Sequence, residues 1–225
     1  ILDISDPTHP VEVSFLPIYP ADMDISGNIA LVSTNGAAYQ LISYDITNPV
    51  SPVKLDSIPI DAYSYSVQTM GDLVFVLGTN TVGGTLRCID FSDPLDLSQI
   101  SKMHIGHFQE MAAADGYLYI DLGTALGIYD VTDPATPTLK ASLNMPAFIA
   151  DIQISNDFGY IAALSGLWVI DHTVKTNPAL RSYFKTNGIS SCINLLPAYL
   201  LMGEINDGLY IFLKDTIITT TQDGS

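Results

Sequence analysis

The apolar residues of this chain fall in short runs rich in Val, Ile, Leu, Tyr and Phe. Gly, Pro, Asn and Asp bound them, which is the signature of β-strands joined by tight turns. The runs come in sets of four; one set reads Thr138–Leu143, Ile149–Ser155, Gly159–Leu164 and Leu167–Asp171. One string marks each set. Asp3-Ile4-Ser5-Asp6-Pro7 returns as Asp45-Ile46-Thr47-Asn48-Pro49, as Asp90-Phe91-Ser92-Asp93-Pro94 and as Asp130-Val131-Thr132-Asp133-Pro134. An altered fifth copy runs from Asp171-His172-Thr173 to Asn177-Pro178, and the leading Asp residues stand 42, 45, 40 and 41 positions apart. A four-stranded unit repeated about every 40 residues predicts an all-β fold of the β-propeller class, one blade per unit.

Between the inner two runs of each unit sits a two-residue turn: Gly27-Asn28, Gly71-Asp72, Asp115-Gly116 and Asn156-Asp157. These residue types tolerate the positive φ of a primed hairpin turn. The fifth copy has Leu196-Pro197 there, so its turn must differ. With the strand before the turn innermost, the expected blades span 21–60, 63–105, 107–144, 147–186 and 189–213 within a propeller of residues 1–213. The last blade then lacks an outer strand, which residues 11–17 would supply to close five blades. In the alternative, Ile1-Leu2-Asp3 ends a preceding third strand and the chain is part of a propeller of six to eight blades. Residues 214–225 form a tail in the first case and a candidate outer strand in the second. The Asp-x-Ser/Thr-Asp/Asn-Pro string reads as a structural corner, because Asp oxygens accept nearby N–H groups and Pro ends a strand.

The pattern Leu-Tyr/Trp-Ile/Val-x-Asp followed by Ile/Val-Ser/Thr-Asp-Pro resembles the LVIVD repeat of bacterial and archaeal cell-surface propellers. The copy ending at Phe212 lacks the closing Asp. The resemblance implies an extracellular or cell-surface location, where a carbohydrate or protein partner would be met.

Composition narrows the function classes. Hydrophobic residues make up 48% of the 225 and charged ones 14%, which suits many short strands rather than disorder. Twenty-four acidic against eight basic side chains give a net charge of −16. That field repels phosphate backbones and anionic membranes, so nucleic acid is excluded as a partner, and the charge serves solubility. No apolar stretch is long enough to span a bilayer. Cys88 and Cys192 fall in non-equivalent strands and form no framework. A chain beginning at Ile1 is read as a processed product or a piece of something longer.

Counting back from the turns locates candidate chemistry. Five positions before the first turn residue stand Asp22, Ser66, Glu110, Asp151 and Ser191; eight before it stand Tyr19, Tyr63, His107, Phe148 and Gly188. Both sets begin an inner strand, where a propeller's channel opens. Aromatic rings over carboxylates suit a sugar, a cationic group or a metal ion such as calcium; no other cofactor is implied. The competing reading has the rings wedged between blades and the polar set lining a hydrated channel. Asp22, Glu110 and Asp151 also allow glycoside hydrolysis by an acid and a base on opposite sides of a sugar. His9, His104, His107 and His172 lack metal-ligand spacing, and Trp168 reads as core. Three functions remain: non-catalytic recognition, a structural subunit of a surface assembly, and a glycoside hydrolase.

Overall fold

A computed structural model of the chain describes residues 1–36, 38–60, 63–81, 83–106, 110–205 and 207–214. It is a β-propeller built from antiparallel sheets whose strands follow one another in sequence order. The chain divides into two compact units, Ile1–Ile105 and Gly106–Ser225.

The first unit opens with β1 (Leu2–Asp3) and β2 (Val11–Glu12). Its first blade is β3 (Pro20–Ser26), β4 (Ile29–Asn35), β5 (Tyr39–Asp45) and β6 (Val53–Pro59). Its second is β7 (Tyr63–Met70), β8 (Leu73–Asn80), β9 (Gly83–Asp90) and β10 (Ser98–Ile105). The second unit holds β11 (Met111–Ala114), β12 (Tyr117–Asp121), β13 (Ala125–Asp130) and β14 (Thr138–Asn144) as one blade. The next is β15 (Ile149–Ser155), β16 (Phe158–Ala163), β17 (Gly166–Asp171) and β18 (Ala179–Lys185). A three-stranded sheet of β19 (Ile189–Leu195), β20 (Tyr199–Ile205) and β21 (Gly208–Leu213) completes it.

Turn chemistry fixes the register. Gly27, Gly71 and Asn156 hold φ of 58°, 62° and 52°, and Asp115-Gly116 hold 51° and 80°. That is the left-handed region a primed two-residue turn needs. In the last sheet the turn is Pro197-Ala198, one residue later than Leu196-Pro197: Leu196 N donates to Tyr199 O at 2.9 Å, beyond the Leu195–Leu200 pair. The bulge between Ser190 and Cys192 then ends five positions before the turn, as the bulges ending at Asp22, Ser66 and Asp151 do. Counted from the true turn, the positions five and eight back are therefore Cys192 and Ile189 rather than Ser191 and Gly188.

The corner loops satisfy themselves. Asp3, Asp45, Asp90, Asp130 and Asp171 each accept the backbone N–H two residues on, at 2.8–3.1 Å. Hydrogen bonds from Ser or Thr of the same loop hold these carboxyls below the ordinary carboxylate range, Asp130 at about 2 with Lys140 adding to the effect. A second turn follows, in which Asp6, Asn48, Asp93 and Asp133 accept in the same way. Val174 stands there in the fifth loop, and only the backbone bond from Asn177 N to Val174 O remains.

The second and third strands of the four-stranded blades are buried on both faces over most of their length, and neighbouring sheets within a unit pack against them. In the first unit, Leu31 and Leu41 of one blade pack with Val67, Val74, Val76 and Ile89 of the next. In the second, Tyr119, Leu126 and Ile128 pack with Ile152, Ile161 and Ile170, and Tyr160, Leu167 and Val169 pack with Ile193, Leu200 and Met202. Each fully buried side chain of this kind stabilises by about 1.5–3 kcal/mol.

The outer strand expected to complete the last blade is otherwise engaged. Val11–Glu12 pairs with Leu2–Asp3, with Asp3 opposite Val11. That is the third-to-outer register of every blade, as in Asp45 opposite Val53 and Asp171 opposite Ala179. A hairpin across one corner closes a far shorter loop than a pairing across most of the chain, so local closure wins. Among the described residues β21 pairs with β20 alone. Its Tyr210 and Phe212 pack edge-on against Phe184, while Leu209, Ile211 and Leu213 face outward, exposed. No helix among the described residues is long and apolar enough to cross a membrane.

Candidate functional site

In the first unit the segments that enter the inner strands β3 and β7 wall an open cleft of about 480 Å³. Tyr19 forms one wall, Tyr63 and Tyr65 the other, and Asn35, Gly36 and Ser64 line it between them. Tyr19 is 80% exposed, Tyr63 47% and Tyr65 36%, although side chains of this size usually bury most of their surface. The Tyr63 and Tyr65 rings stand 5.4 Å apart and tilted by 55°.

Each ring is placed by its neighbours. A Cβ at Gly36 would come within 3.3 Å of Tyr19 Cδ2, so the glycine lets that ring lie close against the backbone. Asn35 ends β4 and ties it to β7: its Nδ2 donates to Ser64 O at 3.0 Å, and its Oδ1 accepts from Ser64 N at 2.8 Å. Both ends of one amide are thus spent on one residue of the next blade, flanked by Tyr63 and Tyr65. A bulge in β7 between Ser64 and Ser66 sets off Tyr65 from the regular ladder.

Asp22 does not line the cleft. Its Oδ2 accepts from Val67 N at 2.7 Å, pinning the first blade to the inner strand of the second. Asp24 repeats the clip one pleat on, accepting from Thr69 N and Thr69 Oγ1, both at 2.7 Å. Ser66 is buried beside this seam. In the second unit Asp151 makes the equivalent contact, Oδ2 accepting from Ile193 N at 2.7 Å and Oδ1 from Ile152 N at 2.7 Å. Burial pushes the carboxyls of Asp22 and Asp151 above their ordinary range, against the lowering effect of those N–H groups. A carboxylate held in this way joins two strands. Its oxygens have little left for a ligand or a scissile bond.

Phe148, 63% exposed, occupies the Tyr19 position in the second unit. It lines a smaller hollow of about 220 Å³ with Pro146, Met145, Gly123 and Leu164. Leu164 stands where the first unit has Asn35, and its N donates to Phe148 O at 3.1 Å, as Asn35 N donates to Tyr19 O at 3.2 Å. The backbone oxygen of Glu110 accepts from Asp121 N at 3.0 Å, and Ser191 Oγ donates to Gly203 O at 3.2 Å. At Gly188 the backbone N donates to buried Glu204, which also accepts from Ser190 Oγ at 2.8 Å. His107 lies outside the described residues.

Sequence reasoning missed Asn35, Tyr65, Asp24 and one cluster in the second unit. The cluster forms where the fifth corner loop departs from its pattern, with His172 in place of an apolar residue and Lys175 in place of Pro. His172 is fully buried; its Nδ1 lies 2.6 Å from Lys175 Nζ and 3.0 Å from the Tyr119 hydroxyl. Desolvation first, then Lys175, lower the His172 pKa. Lys175 also lies 5.6 Å from the Tyr117 ring centre. Among the described residues no group of three His, Cys, Asp or Glu side chains could hold a metal ion.

The comparisons agree on architecture. A solved structure of a functionally unknown protein from Desulfotomaculum acetoxidans superposes with a TM-score of 0.72 at 16% identity, over 87% of this chain and 69% of that one. The computationally designed Ika8 protein superposes at 0.66 and 10% identity, over 89% of this chain and 59% of that one. Likenesses at such identity speak for the fold alone. No curated protein matches the chain. The model of the LVIVD repeat matches residues 1–15, 105–145 and 149–186. With the corner loops, turns and strand registers described above, the chain carries copies of the LVIVD repeat in these segments.

Proposed function

We propose that this propeller is a non-catalytic recognition domain that takes its ligand in the cleft between Tyr19 and the Tyr63–Tyr65 pair. The observation that carries the reading is the exposure of three tyrosine rings around one open cleft. Rings on the second strands, such as Tyr119 and Tyr160, are instead buried as core. Exposed aromatic surface kept in one place by dedicated contacts favours binding over packing. The engagement of Asp22 and Asp151 by backbone N–H groups speaks against the hydrolase reading. The domain works outside the cytoplasm, as its resemblance to surface propellers implies.

The test is a Tyr19→Ala/Tyr63→Ala double variant with an unchanged unfolding midpoint, compared with the parent chain for retention on immobilised surface polysaccharides and proteins. Loss of retention supports the reading, and full retention by the folded variant removes it.

A second reading has its own observation. The outward Leu209, Ile211 and Leu213, on a strand that pairs on one side alone among the described residues, suit a subunit contact in a surface assembly. Sedimentation of the parent and of Ile211→Lys over a range of concentrations decides it. A monomer throughout excludes the contact; an oligomer that the lysine dissolves supports it.

A further inference from the structure

We infer that the tyrosine cleft takes a choline-type quaternary ammonium, an inference that rests on the cleft being the recognition site. Hydrogen-bonding capacity supplies the first argument. Both ends of the Asn35 amide are used on Ser64, and the buried Ser64 hydroxyl lies 3.4 Å from Leu77 O. Apart from backbone groups, the described residues of the cleft offer three phenol hydroxyls. A sugar entering it would give up water on many hydroxyls and find few replacements, which is costly. A quaternary ammonium has no hydrogen bonds to lose.

Charge supplies the second argument. Among the described residues no acidic or basic side chain lines the cleft, so none of them would pair with a carboxylate or phosphate. Residues 1–105 carry twelve acidic and three basic side chains, and Lys54, Arg87 and Lys102 all lie away from the cleft. The unit's field therefore attracts cations and repels anions. The rings supply the third argument. Tyr19, Tyr63 and Tyr65 line one open cleft, and the electron-rich faces of such rings attract an organic cation. The equivalent hollow of the second unit has one ring, Phe148, and lacks the cage.

The experiment titrates the full chain with choline and follows tyrosine ring resonances by NMR. Its uncharged tert-butyl isostere, a neutral oligosaccharide and a trimethyl-lysine peptide serve as comparisons. Saturable shifts of Tyr19, Tyr63 and Tyr65 are expected, with a Kd on the order of 1–10 mM. The isostere should bind at least about tenfold more weakly, because it keeps the shape and loses the charge. Tyr19→Ala or Tyr63→Ala should each weaken choline by roughly 3- to 10-fold. Tyr63→Phe, which keeps the ring face and is the safer variant for folding, should retain it.

Equal binding of choline and isostere overturns the inference, as does the absence of saturable shifts with choline. An oligosaccharide that moves the tyrosines while choline does not overturns the ligand class and leaves the recognition cleft standing. A trimethyl-lysine peptide bound tenfold tighter than choline overturns choline as the carrier of the cation. The recognition reading itself falls only with the double variant described above.

Discussion

The cleft of the first unit and the hollow of the second are built on the same scaffold and carry different chemistry. In both, the strand after the turn sends a backbone N–H to the residue that begins the blade, Asn35 to Tyr19 and Leu164 to Phe148. In both, an Asp five positions before the turn clips the next inner strand. What differs is the substituents. Tyr19, Asn35, Tyr63 and Tyr65 line the first; Pro146, Phe148 and Leu164 line the second. The repeat determines where a side chain stands and leaves its chemistry open. Function is therefore to be sought where a copy departs from its siblings without a structural need.

The largest effect should follow from giving the first cleft the second's residue at its hinge. Asn35→Leu removes two bonds to the Ser64 backbone and leaves buried groups unpaired, at a cost of about 2–3 kcal/mol in chemical denaturation. An unchanged midpoint would mean that the amide is not what holds the two blades in register.

The shared clips come next. Asp22→Ala and Asp151→Ala should each cost about 1–2 kcal/mol, and by similar amounts if the scaffold is common. Asp22→Asn and Asp151→Asn should cost much less at neutral pH. Both carboxyls have raised pKa values in the fold, so their ionisation opposes folding above the unfolded value, while an amide oxygen still accepts one N–H. An Asn variant as damaging as the Ala variant would show that the charge itself is needed.

A pH series separates the seams of the two units. His172 has a lowered pKa and faces Lys175, Tyr119 and Asp157, whereas Phe91 fills the corresponding place in the first unit. The unfolded chain then binds the proton more readily. The contribution of His172 is complete above its unfolded pKa, near 6.5, and is lost as the pH falls below it. Thermal unfolding at successive pH values should show that loss, and His172→Phe should flatten it.

The smallest effect on stability tests the fit of one ring. Gly36→Ala puts a methyl group 3.3 Å from the exposed Tyr19 ring, which can move. Stability should change by less than about 0.5 kcal/mol, while affinity for the cleft's ligand falls. Unaltered affinity would show that the lie of Tyr19 against the backbone is immaterial.

Much of the fold could be read from the chain alone, because the repeat writes its instructions locally. Gly27, Gly71, Asp115 and Asn156 advertise their turns, and Asp45 or Asp130 their corners, within a few residues. Where local signals lapse, reading fails. Leu196-Pro197-Ala198 contains no residue suited to positive φ, so the turn reads one residue early and the count falls on Ser191 and Gly188 instead of Cys192 and Ile189. The candidate site was half legible. Tyr19 and Tyr63 follow from repeat position, and Tyr65 could have been found as the second residue on from Tyr63 in a strand. The roles of Asp22 and Asp151 lie in contacts 45 and 42 residues away, which no local pattern encodes. Asn35 gave one faint sign, as a lone amide where sister copies carry Thr79, Gly123, Leu164 and Ile205.

The corner loops carry a consequence for how such a chain can grow. Each corner forms its bend with hydrogen bonds to side chains a few residues away, and the third adds bonds to the preceding blade, from Ser43 Oγ to Pro94 O and from Leu97 N to Asp56 Oδ2. A duplicated segment would arrive with its bend already complete, needing only an acidic residue to latch onto the amide of whatever sheet it lands beside. Tandem copies of this design can therefore be gained, lost or exchanged as modules, and their loops remain free to acquire residues such as His172 and Lys175 without dismantling the bend.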